Sequence, residues 1–127
     1  MRLHHIGMNV KSLVRSKEFY QSYFGFDEET YFEWGSEKIV FMKKNDCRLE
    51  LIEEPGEDNG SKRIFLHLAL RITDLETEMG LLKEKGLVPV EGPVVLENGW
   101  KVAFFFGPDG EIVELVEGQR NFFYELS

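Results

Sequence analysis

Apolar and polar positions follow two different periods along the chain, and the order of those periods occurs twice. Residues 3–10 form a short β-rich apolar run, and Phe19, Tyr20, Tyr23 and Phe24 then fall at the i, i+1, i+4, i+5 spacing of a helix face that Gly25 closes. Three strand-like runs follow, at residues 30–34, 38–43 and 48–53, with Asn45-Asp46 as turn residues between the last two. The second pass opens on an apolar run from His67. Thr73-x-x-Glu76 has the form of a capping box, Leu75, Met79 and Leu82 make an i, i+4, i+7 stripe, and Gly86 stops the helix. Runs at 88–96, 101–106 and 111–116 complete it, with Pro108-Asp109-Gly110 at the turn.

Each pass therefore reads βαβββ, and the two are related in sequence. "HIGMNVKSL" from His5 matches "HLALRITDL" from His67, and "IVFMKKNDCRLELIE" from Ile39 matches "AFFFGPDGEIVELVE" from Ala103. Gly25-Phe26 and Gly86-Leu87 recur at corresponding places. The expected fold class is α+β, two tandem βαβββ modules at about residues 1–54 and 63–118 of a single domain 1–127. A linker rich in Pro, Gly and acidic residues is expected at 54–62 and an aromatic tail at 119–127, where Phe122, Phe123 and Tyr124 pack on the body or on a dimer partner. About sixty residues with one helix bury little core alone, so the two mixed sheets are expected to pair into an open, barrel-like concave site.

Strand alternation sorts the polar residues. Leu49 and Leu51 share one face, to pack under the helix, while Arg48, Glu50 and Ile52 share the other; Val113, Glu114 and Leu115 repeat the arrangement. On the first strand His5, Gly7 and Asn9 fall together, against His4 and Ile6; in the second pass the set is His67, Ala69 and Arg71. His4 corresponds to Leu66 and is expected to be a partly buried structural residue. His5 and Glu50 have counterparts in His67 and Glu114, although most aligned positions differ. Two imidazoles and two carboxylates on one concave face suit a divalent transition ion, with imidazole favouring Zn, Ni, Co or Fe over Ca or Mg.

Composition narrows the partners. The 127 residues are 43% hydrophobic and 30% charged, as in globular domains, and the net charge of −8 opposes binding to nucleic acid or an anionic membrane. A small molecule is the expected partner. The lone Cys47 excludes an internal disulfide and reads as a small half-buried strand residue. With no signal peptide pattern and no apolar run of spanning length, a cytoplasmic location is expected.

"HHIGMNV", the helix with its "GF", "RLELIE", "HLALRITDL" and "GPDGEIVELVE" together resemble the vicinal oxygen chelate superfamily, the glyoxalase, bleomycin-resistance and ring-cleaving dioxygenase group, over essentially the whole chain. The resemblance implies a metal set of His5, Glu50, His67 and Glu114, similar to glyoxalase I, on one divalent ion (Ni, Zn, Co, Mn or Fe). It implies a lactoylglutathione lyase-like reaction, proton transfer beside a carbonyl through a metal-stabilised enediolate, with Glu50 and Glu114 as ligands and proton carriers. In bacterial glyoxalase I an arginine four positions after the first histidine takes the thiol substrate's carboxylate; here that position is Asn9, and the cation stands at the pseudosymmetric Arg71. Arg71, Asn9 and Arg48 are the expected contacts to a substrate that carries an anionic group. Two other classes stay open: a thioester epimerase of the methylmalonyl-CoA epimerase type, where glutamine usually stands at the place of Glu50, and a bleomycin-resistance-like binding protein without turnover. A homodimer is the expected assembly.

Overall fold

A computed structural model of the chain describes residues 2–56 and 66–118. The expected linker from residue 57 onward and the aromatic tail lie outside the described residues. The element order is β1 (Ile6–Asn9), α1 (Leu13–Phe24), β2 (Asp27–Trp34), β3 (Glu37–Lys44), β4 (Cys47–Glu53), β5 (His67–Arg71), α2 (Leu75–Glu84), β6 (Glu91–Val95), β7 (Lys101–Phe106) and β8 (Ile112–Glu117). This is α+β, with βαβββ written twice. The strands form two four-stranded mixed sheets, ordered β1-β4-β3-β2 and β5-β8-β7-β6. In each, the first strand runs parallel to the last, as a helical crossover allows, and the other pairs are antiparallel. The chain resolves into two compact units: the first holds β1–β4 and α1 together with Pro108–Gly110, the second the remaining elements.

In the first unit Leu49 and Leu51 are fully buried, with Tyr20, Phe24, Phe26, Val40 and Met42 in the same core. In the second, Val113 and Leu115 are buried with Leu75, Leu82, Ala103 and Phe105. Each buried Val, Leu, Phe or Met among them stabilises its unit by roughly 1.5–3 kcal/mol relative to exposure. Of the expected apolar stripes, Phe19, Tyr20 and Phe24 of α1 and Leu75 and Leu82 of α2 are buried, while Tyr23 and Met79 are half-buried. Gly25 ends α1 in the left-handed region at φ 73°, where its N–H reaches Gln21 and Tyr20 carbonyls, a conformation glycine adopts without a Cβ penalty.

Several boundaries differ from the sequence reading. β1 starts at Ile6, so residues 3–5 precede it and His4 and His5 stand at its mouth. β2 starts earlier, at Asp27, through a register shift between Glu28 and Thr30 that the apolar pattern does not show. β6 starts later, at Glu91. The cap of α2 is Asp74 and not Thr73: its carboxylate accepts from the Thr77 N–H at 3.2 Å. Asp74 aligns with Ser12, the N-cap of α1, whose Oγ accepts from the Arg15 N–H.

Candidate imidazole and carboxylate site

The parallel register of β1 on β4 sets Gly7 opposite Glu50, and the antiparallel register of β3 on β4 sets Phe41 on its other side. The Glu50 carboxylate lies over Gly7: a Cβ built there would meet Oε1 at 2.9 Å. His5, just ahead of β1, turns its Nε2 to that oxygen at 3.3 Å. Its ring meets that of Phe41 edge to face, with centroids 5.0 Å apart.

The second unit builds the same arrangement. Ala69 and Phe104 flank Glu114 in register, His67 Nε2 lies 2.6 Å from Glu114 Oε1, and the His67 ring meets Phe104 at 6.1 Å. In both pairs the carboxylate is the shielded partner, 18% exposed against 34% in the first and 15% against 52% in the second. Each acid is therefore held within a sheet between a small residue and a phenyl ring, while each imidazole stands open at a strand end.

Among the described residues no three His, Cys, Asp or Glu side chains gather into a metal-binding group. Each unit by itself presents one imidazole nitrogen and one carboxylate oxygen directed at each other. That donor chemistry fits a divalent transition ion, which takes neutral imidazole and ionised carboxylate together.

The structure changes the account of His4. It is exposed rather than partly buried, because the chain has not yet entered β1, and its Nδ1 lies 2.8 Å from His5 Nδ1. Arg48 lies on the ligand-bearing side of β4 and is already engaged: Nε and one Nη donate to the two oxygens of Glu29 at 2.7 and 2.9 Å, and the other Nη to the His4 carbonyl at 3.4 Å. Asn9 and Arg71 are exposed on the same strand faces as His5 and His67. Cys47 is half-buried at the start of β4, and burial pushes its thiol up, as suits an inert strand residue.

Sequence reasoning missed the two phenyl rings. Matching the halves without a gap sets Phe41 against Phe105, but the paired phenylalanine stands nine positions before Glu50 and ten before Glu114, so the counterpart beside Glu114 is Phe104. It also missed Glu53 and Glu117, which close the two matching motifs: Glu53 Oε1 accepts the Leu13 N–H at 2.7 Å, and Glu117 Oε1 the Leu75 N–H at 2.8 Å. A separate cleft of about 600 Å³, lined by Gly25, Asp27, Glu28, Glu29, Lys43, Lys44 and Asn45, contains none of the candidate residues.

Comparison with known proteins gives concordant matches. The family model described as Glyoxalase/Bleomycin resistance protein/Dioxygenase superfamily matches residues 2–115. Uncharacterized protein YwkD of Bacillus subtilis (strain 168) is 30% identical over 122 residues, 91% of this chain and 95% of that protein. The crystal structure of the glyoxalase family protein from Enterococcus faecalis is 27% identical, with a TM-score of 0.76 over 91% of this chain and 97% of that one. TnmS3, an antibiotic binding protein from Streptomyces sp. CB03234, shares the fold with a TM-score of 0.75 at 24% identity, covering 94% of this chain and 97% of its own.

Proposed function

Because the chain belongs to the glyoxalase/bleomycin resistance protein/dioxygenase superfamily, we propose that it is a metal-dependent enzyme of the glyoxalase I type that transfers a proton beside a substrate carbonyl. The observation that carries this reading is the repeated pair, His5 Nε2 at 3.3 Å from Glu50 and His67 Nε2 at 2.6 Å from Glu114, each beside a phenylalanine ring. These four residues supply two nitrogens and two oxygens to one Ni, Zn, Co, Mn or Fe ion, contributed by one chain or by two chains of a homodimer. When bound, the ion polarises the substrate carbonyl and so acidifies the neighbouring C–H.

The remaining chemistry belongs to the protein. One of the carboxylates Glu50 and Glu114 takes the proton from carbon and delivers it to the adjacent carbon, while the other moves the hydroxyl proton between the two substrate oxygens, so both end the cycle ionised. Phe41 and Phe104 limit water at the carboxylates, which strengthens their electrostatic action. Arg71 anchors an anionic group of the substrate, Asn9 contacts it from the pseudosymmetric position, and Arg48 contributes the second hydrogen of the Nη whose first is directed to the His4 carbonyl.

The test is metal analysis of gently purified protein, followed by solvent-deuterium exchange into 2-oxoaldehyde–thiol adducts and acyl-thioesters. Exchange stops on chelation, and Glu114→Gln and Glu50→Gln each lower kcat by about 10²–10⁴-fold. Full activity in metal-free protein would sink the mechanism. Exchange into the acyl-thioesters alone assigns the epimerase class.

A second reading, a small-molecule binding protein without turnover, is favoured by one further observation. Phe32 of β2 stacks on Phe41 with centroids 6.1 Å apart and planes 22° from parallel, a platform for a flat apolar ligand next to His5. Tight binding of such a ligand with no exchange and no metal requirement selects it.

A further inference from the structure

The sequence sets two histidines side by side, and the proposed function uses only the second. We infer that His4 is a positioning residue for His5, accepting the His5 Nδ1–H when the His5 Nε2 lone pair is given to a divalent ion. This rests on the metal-dependent reading above.

The contact itself constrains the protons. His4 Nδ1 and His5 Nδ1 are 2.8 Å apart, with the rings edge to face at 81°. Two like nitrogens at that distance share one hydrogen, so one ring donates and the other accepts. His5 also has its Nε2 at 3.3 Å from Glu50 Oε1, so both of its nitrogens are engaged. Two arrangements of neutral rings satisfy both contacts.

In the first, His4 Nδ1–H donates to His5 Nδ1, and His5 Nε2–H donates to Glu50. That leaves no lone pair for a metal. In the second, His5 Nδ1–H donates to His4 Nδ1, and His5 Nε2 turns its lone pair toward the carboxylate. Lone pair and carboxylate repel each other unless a cation lies with them, so the second arrangement belongs to the metal-loaded protein. Passing between them, the shared hydrogen crosses from His4 to His5, His5 releases its Nε2 hydrogen to water, and His4 takes one at Nε2. Both rings remain neutral and the proton count is unchanged. The inter-ring hydrogen bond survives in both states, so admitting the ion leaves no donor of His5 unpaired.

His4 is held in place for this role. Its carbonyl accepts from Arg48, whose guanidinium is itself forked onto Glu29. His4 is also exposed, which gives its Nε2 access to water. The second unit has no such device, since Leu66 precedes His67 and carries no ring nitrogen. The two pseudosymmetric histidines therefore differ in how their tautomer is set.

The test titrates Zn²⁺ alone into the parent, His4→Leu and His4→Asn, with circular dichroism as the check on folding. His4→Leu weakens zinc binding by about 10–100-fold. His4→Asn recovers most of it, because the amide oxygen replaces the Nδ1 acceptor. Long-range ¹H–¹⁵N spectra of the parent show His5 as the Nε2–H tautomer without zinc, and as the Nδ1–H tautomer with His4 as Nε2–H when zinc is bound. A purely structural His4 would lower thermal stability without moving that tautomer. Zinc affinity of His4→Leu within about threefold of the parent, or Nε2–H on zinc-loaded His5, overturns the inference alone. A parent that takes up no zinc overturns the metal reading and this inference together.

Discussion

Gly7 is where the site tolerates least. Its missing Cβ leaves the space that Glu50 Oε1 occupies, and an alanine would press on that oxygen at 2.9 Å. Only the end of a flexible side chain must move, so Gly7→Ala should fold with stability within about 1 kcal/mol of the parent. The carboxylate should nonetheless be displaced from His5, and zinc affinity measured by calorimetry should fall about tenfold. The Arg48–Glu29 fork answers to pH instead. The Arg48 hydrogen bond holds the Glu29 carboxyl below the usual carboxylate range. A group with a depressed folded pKa contributes stability that is present above the ordinary carboxylate pKa and lost as pH falls through its folded value. Thermal melts of the parent and Glu29→Gln should therefore differ near neutral pH and converge in acid; a constant difference would show that charge is not the origin.

Both helices begin in the same way, from residues contributed by two other places in the repeat. A helix N-terminus leaves N–H groups without partners and carries partial positive charge. In α1 the side chain of Ser12 takes the Arg15 N–H and Glu53, at the end of β4, takes that of Leu13; in α2 Asp74 and Glu117 do the same for Thr77 and Leu75. Asp109 adds a further carboxylate at α1, with oxygens 3.4 Å from the Lys11 nitrogen and 3.5 Å from Ser16 Oγ. The strand that carries each candidate catalytic acid thus also fixes the start of its own unit's helix. Ser12→Ala should destabilise by about 1 kcal/mol in denaturant unfolding and leave metal content unchanged. A loss of metal with Ser12→Ala would mean that the helix start and the site are coupled more closely than the hydrogen bonds indicate.

At the scale of the whole chain, duplication is the dominant fact. One imidazole and one carboxylate leave two or more positions of a divalent transition ion to be filled, by water or by the second pair. If the two pairs serve one ion, metal analysis gives one ion per chain. His5→Ala and His67→Ala then each abolish uptake. Two ions per chain, or half the metal retained after either substitution, would show that each pair acts alone. No helix among the described residues is long and apolar enough to cross a membrane.

Much of this molecule was decided by sequence alone, because burial imposes a period that a chain cannot hide. The two βαβββ passes, the buried faces of both helices, and the equivalence of His5 with His67 and of Glu50 with Glu114 all follow from spacing and self-similarity. What the pattern did not hold is what depends on cross-strand register. A strand's side chains alternate with a period of two, so one extra residue between the paired phenylalanine and Glu114, relative to Phe41 and Glu50, exchanges the faces of Phe104 and Phe105, and an ungapped comparison picks the wrong ring. The end of β1 behaves likewise. Apolar character runs on from Leu3, but hydrogen bonding to β4 begins only at Ile6, and that leaves His4 outside the sheet and against the ring of His5. Which residues are apolar is a property of the chain. Which atoms face each other across a sheet depends on where pairing starts, and only the folded structure decides that.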